Sequence, residues 1–514
     1  MIGRWVTAAA AVAILAAACS GDDGSASEPL PASNDATTTA TAPPPTAAPA
    51  STTTTAPARG SVVAHPLVDG PVTGGDRGLP ANPAPPEILD EYGYVEEEFF
   101  ISGDATSYAS TNPLAEDGRW TLTPSTMSAY TTRLLVRRPA DAADSNGVVG
   151  VEWLNVSAGQ DSDPDFGFLY PEMLSQGSTW VGVSAQFAGV DGPGLGIPIE
   201  GITATPLKTA DPARYTPIEH PGDEYSYDIY SQAAQAIRSD ATVMGGIPVH
   251  TVIAVGESQS AGRMVSYING VHPVADIYDG FLVHSWFGGA TSMGADVALP
   301  ARTAIRTDLT DPILLFQTET DMLRAVTARQ DDTTALVTWE VAGTAHADQS
   351  QLDYGEASGN VLDPDRVLPD FEGLCGGTVN QGPQALVLQR AWSDLVIWVA
   401  SGQAPATSPL LEFLDSRTVR DDLGIAVGGI RTPDVDVPVA IHVGDPRPGS
   451  SIICSLFGST TLLPGDVLAD LYGDSDTYVA QVQASADAAL AAGHLLASGV
   501  DQFVAEAELV VIPG

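Results

Sequence analysis

The stretch Val252-Ile253-Ala254-Val255-Gly256-Glu257-Ser258-Gln259-Ser260-Ala261-Gly262-Arg263-Met264 decides the fold of this chain. Its apolar first part predicts a buried strand, the residues around Ser258 predict a tight turn, and the remainder predicts a helix. Such a turn strains the serine backbone, lifts the hydroxyl above the sheet, and tolerates only small residues two positions away, here Gly256 and Ser260. We therefore interpret Ser258 as a nucleophile, the alternative being that it only caps the helix.

Apolar runs alternate with helical patterns on both sides of this stretch. Strands are predicted at residues 94–101, 129–136, 147–154, 179–185, 251–255, 280–284, 312–317 and 336–341. Helices are predicted to include residues 171–176, 225–238, 384–400 and 478–498. We expect an α/β fold, with a mostly parallel central sheet, an antiparallel lead-in, helices on both faces and loop insertions. Ligands of such a sheet bind beyond the carboxyl ends of its strands.

Three segments between these elements show little periodicity. They are residues 187–222, 347–383 and 409–464. We expect the first two to shape the mouth of a pocket, because long loops in compact domains commonly form binding surfaces. The helical pattern at 478–498 is expected to pack on the sheet.

A serine at such a turn is inert near neutral pH unless a base takes its proton, so a histidine must lie nearby in space. The histidines that follow Ser258 are His272, His284, His346, His442 and His494. His346 comes directly after the last predicted strand, and a loop at that position is where the base is expected. We therefore predict His346 as the base, the alternative being an exposed loop histidine.

An acid is needed to orient that histidine, and it should follow the preceding strand. The segment Gln317-Thr318-Glu319-Thr320-Asp321 offers two carboxylates there. We predict Asp321 as the acid, and Glu319 serves instead if the turn is tighter. The carboxylate that is not used would be solvated or would cap the next helix.

An ester or amide carbonyl would also need an oxyanion hole made of two aimed N–H groups. The backbone N–H of Gln259 is one predicted donor, and the loop at Asn155 and Val156 is the predicted source of the other. The side-chain amide of Asn155 can also donate, although asparagine at a strand end is commonly a turn residue.

Three segments together carry a family resemblance. Gly256-Glu257-Ser258-Gln259-Ser260, Gly428-Gly429-Ile430-Arg431-Thr432-Pro433 and Cys454-Ser455-Leu456-Phe457-Gly458 resemble large bacterial proteins known as α/β-hydrolase domain proteins. The order serine, acid, histidine is also that of the α/β-hydrolase fold. The turn departs from G-x-S-x-G at its last position, where serine must fit against the preceding strand. The resemblance implies an α/β-hydrolase fold and a serine hydrolase activity.

The amino terminus predicts export. Arg4 supplies a positive charge, residues 5–18 are apolar, and Leu15-Ala16-Ala17-Ala18-Cys19 resembles a bacterial lipobox. We expect residues 1–19 to be a lipoprotein signal segment, with Cys19 lipidated and the protein anchored to the outer face of the bacterial cell membrane. The alternative is a secreted protein with an incidental cysteine. Residues 20–60, rich in Thr, Pro and Ala, predict a disordered tether, and residues 61–514 predict the hydrolase domain with a C-terminal elaboration.

Charge and cysteine content narrow the partners. The formal net charge of −43 disfavours nucleic acid and anionic lipid headgroups, whose phosphates would be repelled. Outside the signal segment, Cys375 and Cys454 remain, and we expect them to form a disulfide outside the reducing cytoplasm, the alternative being two buried thiols. The cysteine and histidine spacings predict no metal site and no cofactor.

These patterns lead to one functional hypothesis with two alternatives. We expect a membrane-tethered serine hydrolase that cleaves carboxylic esters of small molecules or polymers through an acyl-enzyme. An amidase or peptidase with the same residues is the alternative within enzymes, because the triad does not select the leaving group. A surface binding lipoprotein that kept the fold and lost turnover is the other alternative.

Overall fold

A computed structural model describes residues 59–110, 112–192, 203–294, 298–366 and 369–513. The predicted signal segment with Cys19 and nearly all of the predicted tether lie outside the described residues, as do residues 193–202 of the predicted mouth loop. Within the described part of the chain, no helix is both long enough and apolar enough to cross a membrane.

The centre of the structure is a large sheet, for which nine strands are found within the described ranges. These strands are β1 (Leu67–Asp69), β2 (Tyr94–Ala109), β3 (Thr123–Pro139), β4 (Val148–Trp153), β5 (Thr179–Val183), β6 (Thr251–Glu257), β7 (Gly280–His284), β8 (Ile313–Thr318) and β9 (Leu336–Val341). Their order is β1-β2-β3-β5-β4-β6-β7-β8-β9. The pairs from β1 to β5 are antiparallel, and all pairs from β5 to β9 are parallel. The predicted parallel sheet with an antiparallel lead-in is therefore confirmed.

Helices cover both faces of this sheet. In the described residues they are α1 (Pro86–Tyr92), α2 (Pro164–Ser175), α3 (Phe187–Val190), α4 (Leu207–Ala210), α5 (Pro212–Tyr215), α6 (Ser226–Ser239), α7 (Gln259–Ser266), α8 (His272–Ala275), α9 (Glu319–Ala325), α10 (Gln349–Leu362), α11 (Phe371–Cys375), α12 (Gln384–Ser401), α13 (Pro433–Asp436), α14 (Gly465–Tyr472), α15 (Ser475–Ala492) and α16 (Ala497–Ala507). One core cluster joins α6 and α7 to one face of the sheet, and a second joins α2 and α12 to the other. Two apolar faces buried in this way hold the strand ends rigidly.

Two segments differ from their sequence-based prediction. Residues 347–383 contain the 14-residue helix α10, which begins after Asp348, whose side chain accepts from the backbone N–H of Gln351. Only Tyr354 and Ser358 of α10 are buried, so the apolar periodicity that would have revealed the helix is weak. The predicted helix at 478–498 is split at Gly493, where φ is +83°, and its two parts form α15 and α16.

The C-terminal elaboration has its own small core. The helices α15 and α16 pack on each other and on Val437, and their cluster touches the main sheet through the ring of His494, 5.2 Å from that of Trp339 in β9. Two short hairpins precede these helices, and their strands are β10 (Phe413–Leu414), β11 (Arg417–Thr418), β12 (Ala440–Val443) and β13 (Ser459–Leu462). The expectation that this region packs flat on the sheet is thus met only at its edge. The predicted disulfide is present between Cys375 of α11 and Cys454.

Candidate active site

Ser258 lies in the turn between β6 and α7, as the sequence predicts. Its backbone has φ +59° and ψ −117°, a strained conformation for a residue with a side chain. A Cβ on Gly256 would lie 3.0 Å from the carbonyl oxygen of Ser260, so a larger residue there would force the turn to shift. The Ser260 hydroxyl fits against β4, with its Oγ 3.4 Å from the carbonyl oxygen of Leu154. Serine in place of the usual glycine is therefore accommodated.

The loop after β9 brings His346 to this turn. His346 Nε2 lies 2.8 Å from Ser258 Oγ, and His346 Nδ1 lies 2.6 Å from Asp321 Oδ1. His346 is only 3% exposed and Asp321 is fully buried, so water competes little for these hydrogen bonds. The backbone N–H of His346 donates to Thr320 Oγ1, which fixes the loop to the start of α9. The three predicted side chains therefore meet in one line.

The structure places Asp321, and not Glu319, on the imidazole. The other carboxylate oxygen of Asp321 accepts hydrogen bonds from the backbone N–H and the hydroxyl of Thr318, which hold it at the first turn of α9. Glu319 points the other way, where it accepts from the backbone N–H groups of Gly343 and Gly444 and pairs with Arg420 at 2.8 Å. Glu319 thus ties the histidine loop to the C-terminal elaboration.

Burial and charge act against each other at this site. Burial disfavours a charged imidazole, yet the carboxylates of Asp321 and Glu257 outweigh it and raise the pKa of His346 above its ordinary value. Burial also opposes the ionisation of Asp321, but His346 and the donors of Thr318 outweigh it and lower the pKa of this carboxyl. Asp321 is therefore ionised near neutral pH and favours the imidazolium.

Two neighbours of His346 were not predicted as site residues. Glu257 Oε1 lies 3.3 Å from His346 Nε2, the same nitrogen that contacts Ser258. The ring of Phe287 stacks on the imidazole with centroids 4.7 Å apart and an interplanar angle of 24°. The position of Glu257 directly before Ser258 in the sequence could have indicated that Glu257 belongs to the site. Phe287 follows β7 at the carboxyl ends of the strands, but a single aromatic residue there has no distinctive sequence pattern.

The predicted oxyanion-hole residues lie around the same turn, but the side-chain amide of Asn155 is not free to donate. The Asn155 side-chain amide donates to the carboxylate of Glu257 at 3.0 Å and to its carbonyl oxygen at 3.2 Å, so it is already engaged. In the described part of the chain, the backbone N–H groups of Gln259 and Val156 donate to no acceptor. Gln259 and Asn155 line the cavity described next, and Val156 is not among its lining residues.

A cavity of about 420 Å³ opens beside Ser258 and His346. Its opposite side is formed by α10, α11 and the segment 452–457, which meet the strand ends across the cavity. This volume is in the range that small-molecule sites occupy. Of the two loops predicted to shape the pocket mouth, the segment 347–383 contributes lining residues, and the described residues of 187–222 do not.

One group of side chains elsewhere in the described residues has the donor atoms of a cation site: His272, Asp276 and Asp311. The guanidinium of Arg59 already lies among them, 2.7 Å from Asp276 Oδ1 and 2.8 Å from Asp311 Oδ1. Because this arginine balances the carboxylates, the cluster is explained as an ion-pair network that fastens Arg59 to the edge of the sheet.

Several solved structures are similar to parts of this chain. The chain is similar to the solved structure of the esterase Est22, at 11% identity over 54% of this chain and 78% of that one, with a TM-score of 0.27. A fungal esterase from Rhizomucor miehei is 12% identical over 51% of this chain and 82% of its own, with a TM-score of 0.24. An α/β serine hydrolase without a lid from Xanthomonas campestris is 15% identical over 52% and 97%, with a TM-score of 0.24.

No curated protein matches the chain. A family model described as "Alpha/beta hydrolase domain" matches residues 68–505. This match spans nearly all of the described sheet and its helices, including β6, the turn at Ser258 and the loop at His346. The chain therefore belongs to the alpha/beta hydrolase domain family.

Proposed function

We propose that this chain is a serine hydrolase that cleaves carboxylic esters through an acyl-enzyme. The observation that carries the proposal is the continuous hydrogen-bond chain from Ser258 Oγ through His346 to Asp321, with steps of 2.8 and 2.6 Å. Nucleophile, base and orienting acid in this geometry allow the serine proton to leave as the oxygen attacks.

The reaction follows from these contacts. Ser258 Oγ attacks the ester carbonyl while His346 Nε2 takes its proton, and Asp321 stabilises the imidazolium that forms. The backbone N–H of Gln259, together with an N–H of the loop at Asn155 and Val156, would hold the oxyanion. The tetrahedral intermediate collapses as His346 returns the proton to the leaving alcohol, which leaves the acyl group on Ser258. Water, deprotonated by His346, then attacks this acyl-enzyme and releases the acid.

Covalent labelling tests the nucleophile directly. A fluorophosphonate probe should label the wild-type protein and should not label Ser258→Ala, because the probe reacts with an activated serine. Ser162→Ala removes another serine that lines the same cavity, and this variant should be labelled like the wild type. Folded wild-type protein that is neither labelled nor hydrolyses aryl esters would show a binding protein of this fold instead.

The leaving group is tested by a matched pair of substrates. The p-nitrophenyl ester and the p-nitroanilide of the same acyl group differ only in the bond that is cleaved. We expect kcat/KM to be higher for the ester. A preference for the anilide would assign the same three residues to an amidase or peptidase.

We further propose that the protein works outside the cytoplasm as a lipoprotein. The lipobox pattern at residues 15–19 and the pairing of Cys375 with Cys454 support this, because disulfides persist in oxidising compartments. Metabolic labelling with an alkyne-tagged fatty acid should tag the wild-type protein and not Cys19→Ala. Labelling of neither, with the protein in the medium, would indicate secretion.

A further inference from the structure

The cavity beside Ser258 has an apolar side that none of the proposed catalytic residues uses. It is formed by Leu352, Phe371, Ile452, Ile453, Leu456 and Phe457. Ile452 is 70% exposed and contributes to no core cluster of the described residues, so its apolar side chain is left to face the cavity mouth. A large exposed apolar side chain at the rim of a pocket is typical of a ligand-binding surface.

The charge of this cavity differs from that of the whole chain. The chain carries 64 Asp and Glu residues. Among the described residues that line the cavity, Glu257 is the single carboxylate, and it lies on the catalytic side. The cationic side chains that line the same cavity are those of Arg324 and Arg366. The apolar side itself is formed by uncharged side chains, so it is suited to an uncharged hydrocarbon group.

The segment 452–457, here called the clamp segment, is fixed to the rest of the pocket by several contacts. Cys454 is bonded to Cys375 of α11, and the rings of Phe457 and Phe371 lie 5.1 Å apart. The backbone N–H of Ala347, next to His346, donates to the carbonyl oxygen of Leu456 at 3.0 Å. The clamp segment is thus held in register with the catalytic histidine.

Arg447 extends this anchoring at the base of the clamp segment. Its guanidinium donates to the carbonyl oxygens of Cys375, Gly377, Thr378 and Gly458, on both sides of the disulfide. These bonds and the disulfide rigidify a loop that local secondary structure does not support. A rigid apolar wall binds a hydrocarbon chain without first having to be ordered.

We propose that the clamp segment is the binding wall for the apolar chain of the ester substrate, and that the Cys375–Cys454 disulfide sets its distance from Ser258. This inference rests on the proposed esterase function and names its substrate class, esters with an extended hydrocarbon group. Acetate esters would leave the wall empty, whereas longer chains would bury methylene groups against it. Each buried CH₂ should raise kcat/KM by about threefold to fourfold.

Two series of esters test the proposal and identify which part of the ester the wall binds. One series varies the acyl chain of p-nitrophenyl esters from two to ten carbons, and the other varies the alcohol of acetate esters. We expect kcat/KM to rise with chain length in one series and to be flat in the other. Ile452→Asp should abolish the rise, and Ile452→Leu should retain it.

Leu414→Asp is the matched control, because Leu414 is 68% exposed but lies outside the cavity. It should leave the chain-length dependence as in the wild type. The double variant Cys375→Ala/Cys454→Ala should also weaken the rise, because the wall is no longer held. Chain-length dependence that is absent in both series, or that persists in Ile452→Asp, would overturn the proposal.

A binding measurement separates this proposal from the esterase proposal. Calorimetric titration of Ser258→Ala with p-nitrophenyl acetate and with p-nitrophenyl hexanoate reports affinity without turnover. Tighter binding of the hexanoate, lost in Ser258→Ala/Ile452→Asp, supports the wall even if the wild type hydrolyses no ester. Equal binding of both, together with equal binding of ethyl acetate and hexyl acetate and normal ester hydrolysis by the wild type, would retain the esterase and overturn the wall.

A separate observation concerns Glu257, whose carboxylate faces the reacting nitrogen of the imidazole. Oε1 lies 3.3 Å from His346 Nε2, and Oε2 accepts from the Asn155 amide at 3.0 Å. The imidazole therefore lies between two carboxylates, because Asp321 contacts its other nitrogen. The nearby titratable groups behind this pair are Asp165 and His284, which are buried and hydrogen-bonded to each other at 2.8 Å.

The geometry points to Glu257 as a second counter-charge for the imidazolium that forms when His346 takes the Ser258 proton. Before that step Nε2 has no proton to donate, and after it the Nε2–H lies within reach of Oε1. Burial raises the pKa of Glu257 to about 8, with His346 lowering it and Asp165 and Asp321 raising it. The carboxylate form of Glu257, which predominates above that pH, stabilises the charged imidazole and raises its pKa.

The pH profile of Glu257→Gln tests this role, which also depends on the esterase proposal. Glutamine keeps an oxygen for the Asn155 amide but removes the charge. Above pH 8, where Glu257 is ionised, we expect kcat/KM to fall about tenfold or more, and we expect the acid limb to move to lower pH, because His346 loses the charge that raises its pKa. Glu319→Gln also neutralises a buried carboxylate but does not contact the imidazole, so it is the control for a merely structural role and should leave the limb in place. An unshifted limb in Glu257→Gln, with fluorophosphonate labelling intact, would overturn the proposal.

Discussion

One side of the cavity is built from the carboxyl ends of three parallel strands, whereas the other is built from helices and a loop that a disulfide joins. On the strand side, Ser258, Asp321 and His346 each follow a buried strand directly and meet within 2.6 to 2.8 Å. On the clamp side, residues 79 positions apart are joined by one covalent bond. Backbone hydrogen bonds within the sheet therefore position the proposed chemistry, and side-chain contacts between distant segments shape the space for substrate.

The strand side should fail completely when its base is removed. We expect His346→Ala to lower kcat/KM for every ester by about 10⁴-fold or more, because the serine then has no proton acceptor. Rates with acetate and with longer esters should fall together, as both depend on the same base. His250→Ala, which removes an exposed histidine away from the cavity, should change neither rate. If His346→Ala lowered kcat/KM by different factors for short and long esters, the strand side and the clamp side would not act independently.

The two neighbouring carboxylates of α9, Glu319 and Asp321, should have different effects: Asp321 on the rate of ester hydrolysis and Glu319 on the stability of the fold. Asp321→Asn should lower kcat/KM by about 10³–10⁴-fold, because the imidazole loses its charged partner. Glu319→Gln should lower the free energy of unfolding by about 1–3 kcal/mol, because Arg420 and two backbone N–H groups lose a charged acceptor, while kcat changes little. Chemical denaturation and steady-state kinetics on both variants check this contrast. A kcat loss in Glu319→Gln as large as in Asp321→Asn would contradict it.

The pH dependence belongs to the strand side as well. His346 must be neutral to accept the serine proton, and its pKa is raised above its ordinary value of 6.5. We therefore expect kcat/KM to fall about tenfold per pH unit below an acid limb that lies above pH 6.5. The limb should be the same for acetate and for longer esters when kcat/KM is measured across pH 5–9. A limb below pH 6.5 would show that the two carboxylates do not outweigh burial.

The smallest effect on acetate hydrolysis is expected from the clamp side. Cys375→Ala/Cys454→Ala should lower the free energy of unfolding by about 2–4 kcal/mol, because the unfolded chain gains freedom when the cross-link is lost. Hydrolysis of p-nitrophenyl acetate should stay within about twofold of the wild type, because none of the triad contacts involves either cysteine. Reduction of the wild-type protein should reproduce both results. Loss of acetate hydrolysis at a temperature where the variant is folded would show that the two sides are coupled.

The residues on the strand side of the cavity could be predicted from the sequence, because the patterns that indicate them involve residues close together in the chain. The alternation of apolar runs and helical patterns predicted the parallel sheet, and the position of Ser258 after such a run predicted the turn. His346 and Asp321 were found by the same rule, as polar residues at strand ends. The choice between Asp321 and Glu319 needed coordinates, because the rotation of the first turn of α9 decides which carboxylate faces the imidazole.

The clamp side was not accessible in the same way. The pairing of Cys375 with Cys454 was predicted from the number of cysteines, but its position across the cavity from Ser258 was not. The helix α10 was missed because its exposed face carries no clear apolar period. From the sequence, Glu257 was identified only as the residue before Ser258 in the turn, since its contact with His346 joins residues 89 positions apart in the chain.

The sequence by itself determined the class of fold, the residue at the strained turn and the histidine that serves it, because strand and turn propensities act between near neighbours. The tertiary structure decided which acid meets the histidine, what lies on its other nitrogen, and which apolar residues face the serine. These depend on how helices and loops from distant parts of the chain pack at the edge of the sheet, and packing distances there are fixed by side-chain volume and cross-links rather than by local pattern.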